Sequence, residues 1–171
     1  MNCKILYLLC GLPGSGKTTW AKANKTPFDT YVSRDEIRFK LLKDQDSYFQ
    51  NEKKVFDIFV NKIIEGFNRS TTVFADATHL TEKSRNKLLN RLYLEDVDII
   101  PINFYTSLDT CCERNSQRSG LAHVPTDVIC GMKYIPARFN EKYHYAGLYN
   151  IYENGEEVYV ENEEVEKEWF D

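Results

Sequence analysis

The stretch "GLPGSGKTTW" at residues 11–20 constrains the fold more tightly than any other part of the chain. Its glycines and proline are poorly tolerated inside a helix or a strand. Yet it follows "KILYLLC" (4–10), a near-continuous apolar run of the kind found in strands buried on both faces, and it leads into "KTTWAKANK", which reads as a helix. Strand, glycine turn and helix in that order aim backbone N–H groups and the positive end of a helix at one point. Gly11, Gly16, Lys17 and Thr18 match G-x-x-x-x-G-K-[ST]. The expected occupant is the phosphate chain of a nucleoside triphosphate. Lys17 would reach its β- and γ-phosphates, and Thr18 would offer its hydroxyl to Mg²⁺. Pro13 and Gly14 shape the turn. The whole run of Gly11, Leu12, Pro13, Gly14, Ser15, Gly16, Lys17, Thr18 and Thr19 is expected to line the nucleotide.

Beyond this turn, strand-like and helix-like segments alternate. Strands are expected at 4–10, 30–33 ("TYVS"), 71–75 ("TTVFA") and 98–105 ("DIIPINFY"). Helices are expected at 17–25, 34–43, 52–68, 82–94 and 107–118, the last with Ser107 as N-cap. Val55, Phe56, Phe59, Val60, Ile63 and Ile64 make one apolar stripe, and Leu88, Leu89 and Leu92 another. A further helix starts at Thr126 within 126–139 and is interrupted by Pro136. In 149–160, two alternating runs flank Asn154-Gly155, a strong hairpin signal. The fold class is therefore α/β: a parallel sheet of the P-loop NTPase type, flanked by helices, with a helical lid and a C-terminal hairpin. With no linker or repeat, residues 1–171 read as a single domain.

The bulk composition, 42% hydrophobic, is that of a globular chain. No apolar run approaches the roughly 18 residues of a membrane span, and the apolar start lacks a cleavage site. Five cysteines, an odd count with no C-x-x-C, suggest reduced thiols and a cytoplasmic protein. The net charge is −4, but residues 151–171 hold nine acids and one lysine. The remaining body is mildly basic, which permits a polyanionic partner without requiring one. The acidic end reads as a solvated tail or helix face.

Ligands of open α/β sheets bind beyond the carboxyl ends of the strands, so the residues there are the candidates for chemistry. Asp35 follows "TYVS" and could take a proton from an attacking hydroxyl. Arg38 shares its helix face and could bind a phosphate of the acceptor. Spacing is equally compatible with a helix-starting acid in an exposed ion pair. Asp76 follows "TVFA", where an acid can hold Mg²⁺ directly or through water; a capping acid is the alternative. Thr78 and His79 come next, the histidine reading as a loop residue. Arg114 and Arg118 lie four apart in "ERNSQRSG", before a loop ending at Pro125. They could clamp a transferring phosphoryl group from a mobile lid, or they could be a solvated basic face.

Taken in order, "GLPGSGKTTWA", "SRDEIR", "FADATHL" and "RNSQRSGLAHVPTDVI" resemble the kinase module of phage-type polynucleotide kinase, within the wider group of P-loop kinases. The resemblance runs from about residue 4 to residue 140. It implies ATP- and Mg²⁺-dependent phosphorylation of 5′-hydroxyl ends of DNA or RNA. By the same resemblance Lys17 and Thr18 take the nucleotide phosphates and Mg²⁺, and Asp35 is the general base. Arg38 holds the acceptor's 3′-phosphate, Asp76 supports the metal, and Arg118 with Arg114 clamps the ATP phosphates. Two features depart from the family. His79 stands where its D-x-T-N element often has Asn, and the fused phosphatase, with its D-x-D-G-T stretch, is not found in this sequence.

Two other functions fit the same motifs. One is a P-loop kinase of a small molecule such as a nucleoside, sugar or antibiotic. The other is a switch or ATPase module without an acceptor, which Asp35 beside the socket fits poorly. No N-K-x-D stretch follows the fourth strand to read guanine. Arg34, Arg38, Phe39, Lys40 and Lys43, with Lys53 and Lys54 on the next helix, could wall a polynucleotide track or form a solvated face.

Overall fold

A computed structural model describes residues 3–42 and 51–162. The apolar run that precedes the glycine turn is strand β1 (Lys4–Cys10), and its position in the sheet explains its composition. It lies between β3 (Thr72–Asp76) and β4 (Val97–Tyr105), parallel to both, so both of its faces are covered and Leu6, Leu8 and Leu9 are fully buried. β2 (Thr30–Ser33) pairs with β3, and β5 (Gly147–Tyr152) pairs with β4, again in parallel. β6 (Glu157–Glu161) returns antiparallel on β5, and the order is β2-β3-β1-β4-β5-β6. From β1 the chain runs out to β2, returns to β3, then crosses to β4 on the other side. The strand order thus reverses beside β1, which opens a crevice at its carboxyl end.

Alternation along the strands sends side chains to two faces. Leu6, Leu8, Cys10, Val73, Ala75 and Ile99 face α3 (Glu52–Gly66) and α4 (Glu82–Leu92). Leu9, Phe74, Ile102 and Phe104 face α1 (Lys17–Asn24), which covers them with Ala21 and Trp20. The stripe on α3 is as expected except at Ile64. That residue is turned about 100° from the fully buried Ile63 and is 41% exposed. α2 (Arg34–Leu41) follows β2 directly, with the Ser33 hydroxyl accepting from the Glu36 N–H. α5 (Leu108–Ser116) starts at the Ser107 cap, as its sequence indicates. α6 (Thr126–Gly131) starts as expected at Thr126 but stops well short of Pro136. Met132 is already extended, and the Ile135 N–H bonds the Leu80 carbonyl instead of a helical one. A residue that precedes proline resists helical dihedrals, which favours this path.

The segment after α6 is held by a buried ion pair. The fully buried Arg85 of α4 pairs with Glu141 and also donates to the carbonyls of His79 (2.8 Å) and Ile135 (3.0 Å). Tyr145 donates to the same carboxylate at 2.8 Å. The hairpin forms where Asn154-Gly155 placed it, with Gly155 at φ 87°. The acidic segment beyond residue 162 lies outside the described residues. Among those described, no helix is long and apolar enough to cross a membrane.

Candidate active site

The glycine turn is pinned to the loop that follows β3. The Gly11 N–H bonds the Thr78 carbonyl at 2.9 Å, and Gly14 and Gly16 adopt φ of 83° and 100°. A Cβ at Gly14 would stand 2.4 Å from the Cys111 carbonyl oxygen, and one at Gly11 would stand 2.7 Å from Ser15 Oγ. Gly16 caps α1 with no side chain, so the first-turn N–H groups stay open toward the loop. Lys17 curls into this ring. Its Nζ donates to the carbonyls of Gly11 (2.9 Å) and Leu12 (2.6 Å) and to Ser15 Oγ (3.3 Å). Burial lowers its pKa, while the carboxylates of Asp76 and Asp35 pull it back up.

Thr18 and Asp76 meet directly, Oγ1 donating to Oδ2 at 2.6 Å. Tyr31, which sequence reasoning missed, donates to the same oxygen at 2.5 Å. Burial and the Asp76 charge raise the Tyr31 pKa, so the phenol stays protonated as a donor. Its only signal in the sequence is period-two spacing: Ser33 is the register partner of Asp76, and Tyr31 shares its face.

Asp35, in the first turn of α2, lines the same cleft of about 200 Å³ as Gly14, Gly16, Lys17, Thr18, Asp76, Thr78 and Arg118. Its side chain is 53% exposed and pairs with Arg38. Arg38 is buried and engages more than Asp35: Nε and Nη2 reach both oxygens of Glu52 at 2.6 and 3.1 Å. Arg34 donates to Glu52 at 2.9 Å. Burial pushes the Glu52 pKa up, but Arg38 and Arg34 outweigh it and the net shift is downward. Glu52 is the second residue that sequence reasoning missed. It opens α3 across the undescribed stretch 43–50, and nothing in its local pattern ties it to α2.

Arg114 reaches the Gly14 carbonyl at 3.4 Å. The expected helix to residue 118 ends at Ser116, so Arg118 sits in the turn just beyond α5 and borders the cleft from there. Asn115 holds the loop that follows, bonding both backbone groups of Val124.

On the outer side of the glycine turn lies a second groove, of about 560 Å³, lined by Ser15, Thr19, Trp20, Arg114, Tyr152 and Gly155 among others. The hairpin forms its wall and is fastened at two points. Glu153 accepts from the Ser107 N–H at 2.8 Å and from the Thr110 hydroxyl, and the Trp20 indole donates to Glu157 at 2.8 Å.

His79 is a buried loop residue and does not line the cleft. Its Nδ1 donates to the Leu9 carbonyl at 2.8 Å, and burial lowers its pKa to about 4, so it is neutral. Lys40, a candidate for a polynucleotide wall, lines a separate groove with Lys62 and Arg69. Lys43 lies outside the described residues.

These residues suit a metal-bound nucleotide. The first-turn N–H groups of α1, left uncapped by Gly16, are open to phosphate oxygens. Thr18 and Asp76 supply two oxygen donors of the kind Mg²⁺ takes.

A profile of the AAA domain matches residues 6–134. No protein of curated function matches the sequence. Among solved structures, a chain of the Pnkp1/Rnl/Hen1 RNA repair complex is 23% identical, with a TM-score of 0.59 over 81% of this chain. The present chain spans 50% of that one. Kti12 of Chaetomium thermophilum, solved with ADP-AlF3, is 12% identical, with a TM-score of 0.62 over 88% of this chain and 90% of that one. A gluconokinase from Sinorhizobium meliloti is 14% identical, with a TM-score of 0.54 over 86% and 83%. At these identities the likeness is one of fold.

Proposed function

Because the chain belongs to the AAA domain family and carries a P-loop of the kinase type, we propose that it is an ATP-dependent 5′-hydroxyl polynucleotide kinase. Residues 1–171 would act as one kinase domain, transferring the γ-phosphoryl group to the 5′ end of DNA or RNA. The observation that carries the reading is the shared cleft: Asp35 borders the same space as Lys17, Thr18 and the glycine turn.

In this reading the N–H groups of the turn hold the β- and γ-phosphates. Lys17 leaves its loop carbonyls to bridge them, a change favoured by a phosphate's greater charge. The nucleoside lies in the outer groove beside the hairpin. Thr18 and Asp76 would hold Mg²⁺, which would neutralise charge on the phosphates. Asp35 accepts the proton of the incoming 5′-hydroxyl, which attacks in line with the departing ADP oxygen. Arg118 and Arg114 stabilise charge on the transferring group. Arg38, held by Glu52, orients Asp35 and engages the acceptor's 3′-phosphate.

The fold similarity to a gluconokinase favours a second reading, a small-molecule kinase with the same donor side. One assay separates the two. Incubation with γ-labelled ATP, Mg²⁺ and 5′-hydroxyl DNA and RNA oligomers, beside nucleosides and sugars, should label the oligomers. Label on a sugar or nucleoside alone would replace the polynucleotide reading with the second one, and release of phosphate with no labelled acceptor would replace both with an ATPase module.

A further inference from the structure

Three cations from two separate helices, α2 and α4, lie against one ring. Arg34 lies 5.4 Å from the centre of Phe56, Lys87 lies 4.8 Å from it and Arg91 lies 5.9 Å from it. Arg34 lines the candidate active site, whereas Lys87 and Arg91 are exposed on α4. Positive charge therefore continues from the mouth of the cleft onto the surface of the next layer. Lys83 extends it, because 83, 87 and 91 follow at four-residue steps on one face of α4. Each step advances about 6 Å along the axis, comparable to the step between neighbouring phosphates of a strand.

A solvated basic face would carry such charges without any relation to the cleft. Here the row meets a cleft arginine over a shared ring. Among the described residues Lys87 has no carboxylate partner, and the one ion pair of the row, Arg91 with Asp57 at 3.1 Å, is about half exposed on each side. Such a pair holds its arginine weakly and yields to a phosphate. Phe56 is 7% exposed, so its ring serves as a support for the cations and not as a stacking surface for a base. The groove beside Lys83 and Lys87 is lined by Asn86 and Asn90, further donors for a backbone oxygen, with Glu82 at its edge.

We infer that an acceptor strand, beyond its terminal nucleotide, leaves the cleft past Arg34 and runs along α4, its phosphates neutralised by Lys87, Arg91 and Lys83. This inference rests on the polynucleotide reading and deepens it. Recognition here would be of backbone charge, without regard to sequence. It also moves the track. The wall suggested by Lys40 and its neighbours gives way to one that only folding assembles.

The test compares two acceptors, a nucleoside 3′-phosphate and a single-stranded 5′-hydroxyl oligomer long enough to cover α4, in DNA and RNA forms. The Lys87→Ala/Arg91→Ala protein should show a lower ratio of oligomer to mononucleotide kcat/KM than the wild type. Its oligomer affinity should lose about 0.7 of salt slope for each cation removed. Lys87→Arg should keep the wild-type ratio, and matching melting temperatures would exclude a folding defect. An unchanged ratio with an unchanged salt slope would overturn the track while leaving the kinase reading intact. If the wild type labels the mononucleotide but no oligomer, the polynucleotide reading fails and the track falls with it.

Discussion

At residue scale, the roles proposed for the Asp35 carboxylate and the Lys17 ammonium, which line one cleft, separate cleanly. Lys17 sits within the phosphate ring, so Lys17→Ala should abolish transfer and weaken nucleotide binding together. The role proposed for Asp35 is on the acceptor. Asp35→Ala should abolish transfer yet leave ATP affinity, read by a fluorescent nucleotide, within about twofold of wild type. Near-full activity in that variant would remove Asp35 as the base. Glu52 offers a subtler case. Both of its oxygens hold Arg38, and Arg38 in turn holds Asp35. Glu52→Gln should lower kcat and raise the acceptor KM by about tenfold, with the ATP KM little changed. Glu52 also links the cleft to acid stability. Its pKa is depressed from 4.5 in the folded state, so its contribution is present above pH 4.5 and is lost as the pH falls below it.

At the scale of elements, the hairpin that the alternating runs and Asn154-Gly155 encode also braces a neighbouring helix. Its Glu153 bonds the first turn of α5, the helix that carries Arg114. Glu153→Ala should therefore raise the ATP KM more than the acceptor KM, because the donor groove loses both its wall and the anchor of its arginine. Equal changes in both constants would assign Glu153 to general stability. The glycine turn and α5 meet just as closely from the other side. Gly14→Ala combines a positive φ with a clash on the Cys111 carbonyl. It should cost about 1–3 kcal/mol of stability and remove nucleotide binding, as denaturant melts and titration would show.

For the whole molecule, His79 makes stability depend on pH. Its folded pKa is about 4 against 6.5 for the free side chain. Between those values the unfolded chain binds the extra proton, so stability falls with pH from 6.5 down to about 4, by up to about 3 kcal/mol. Urea melts at pH 7 and pH 5 should show this loss in the wild type and a flatter response in His79→Asn. The same residue illustrates what the sequence could convey. Local patterns marked β1, the glycine turn, α5 with its Ser107 cap and the Asn154-Gly155 hairpin, because each is encoded by neighbours in the chain. Glu52, Tyr31 and the cluster around Phe56 were not legible, because their partners stand 14 to 45 residues away and meet only across strand register or helix packing. The end of α6 was misjudged for a related reason, since the bond from Ile135 to Leu80 outcompetes continued helix.

The antiparallel return of β6 has a practical consequence. Its last residues, with Asn162 bonded to Ala146, lie at the amino ends of the parallel strands, as does the first residue of β1. The two outer ends of the sheet path thus emerge behind the molecule, away from the cleft. A solid support, a fluorophore or a second enzyme attached at either place would hold the protein by its back and leave the mouth of the cleft open.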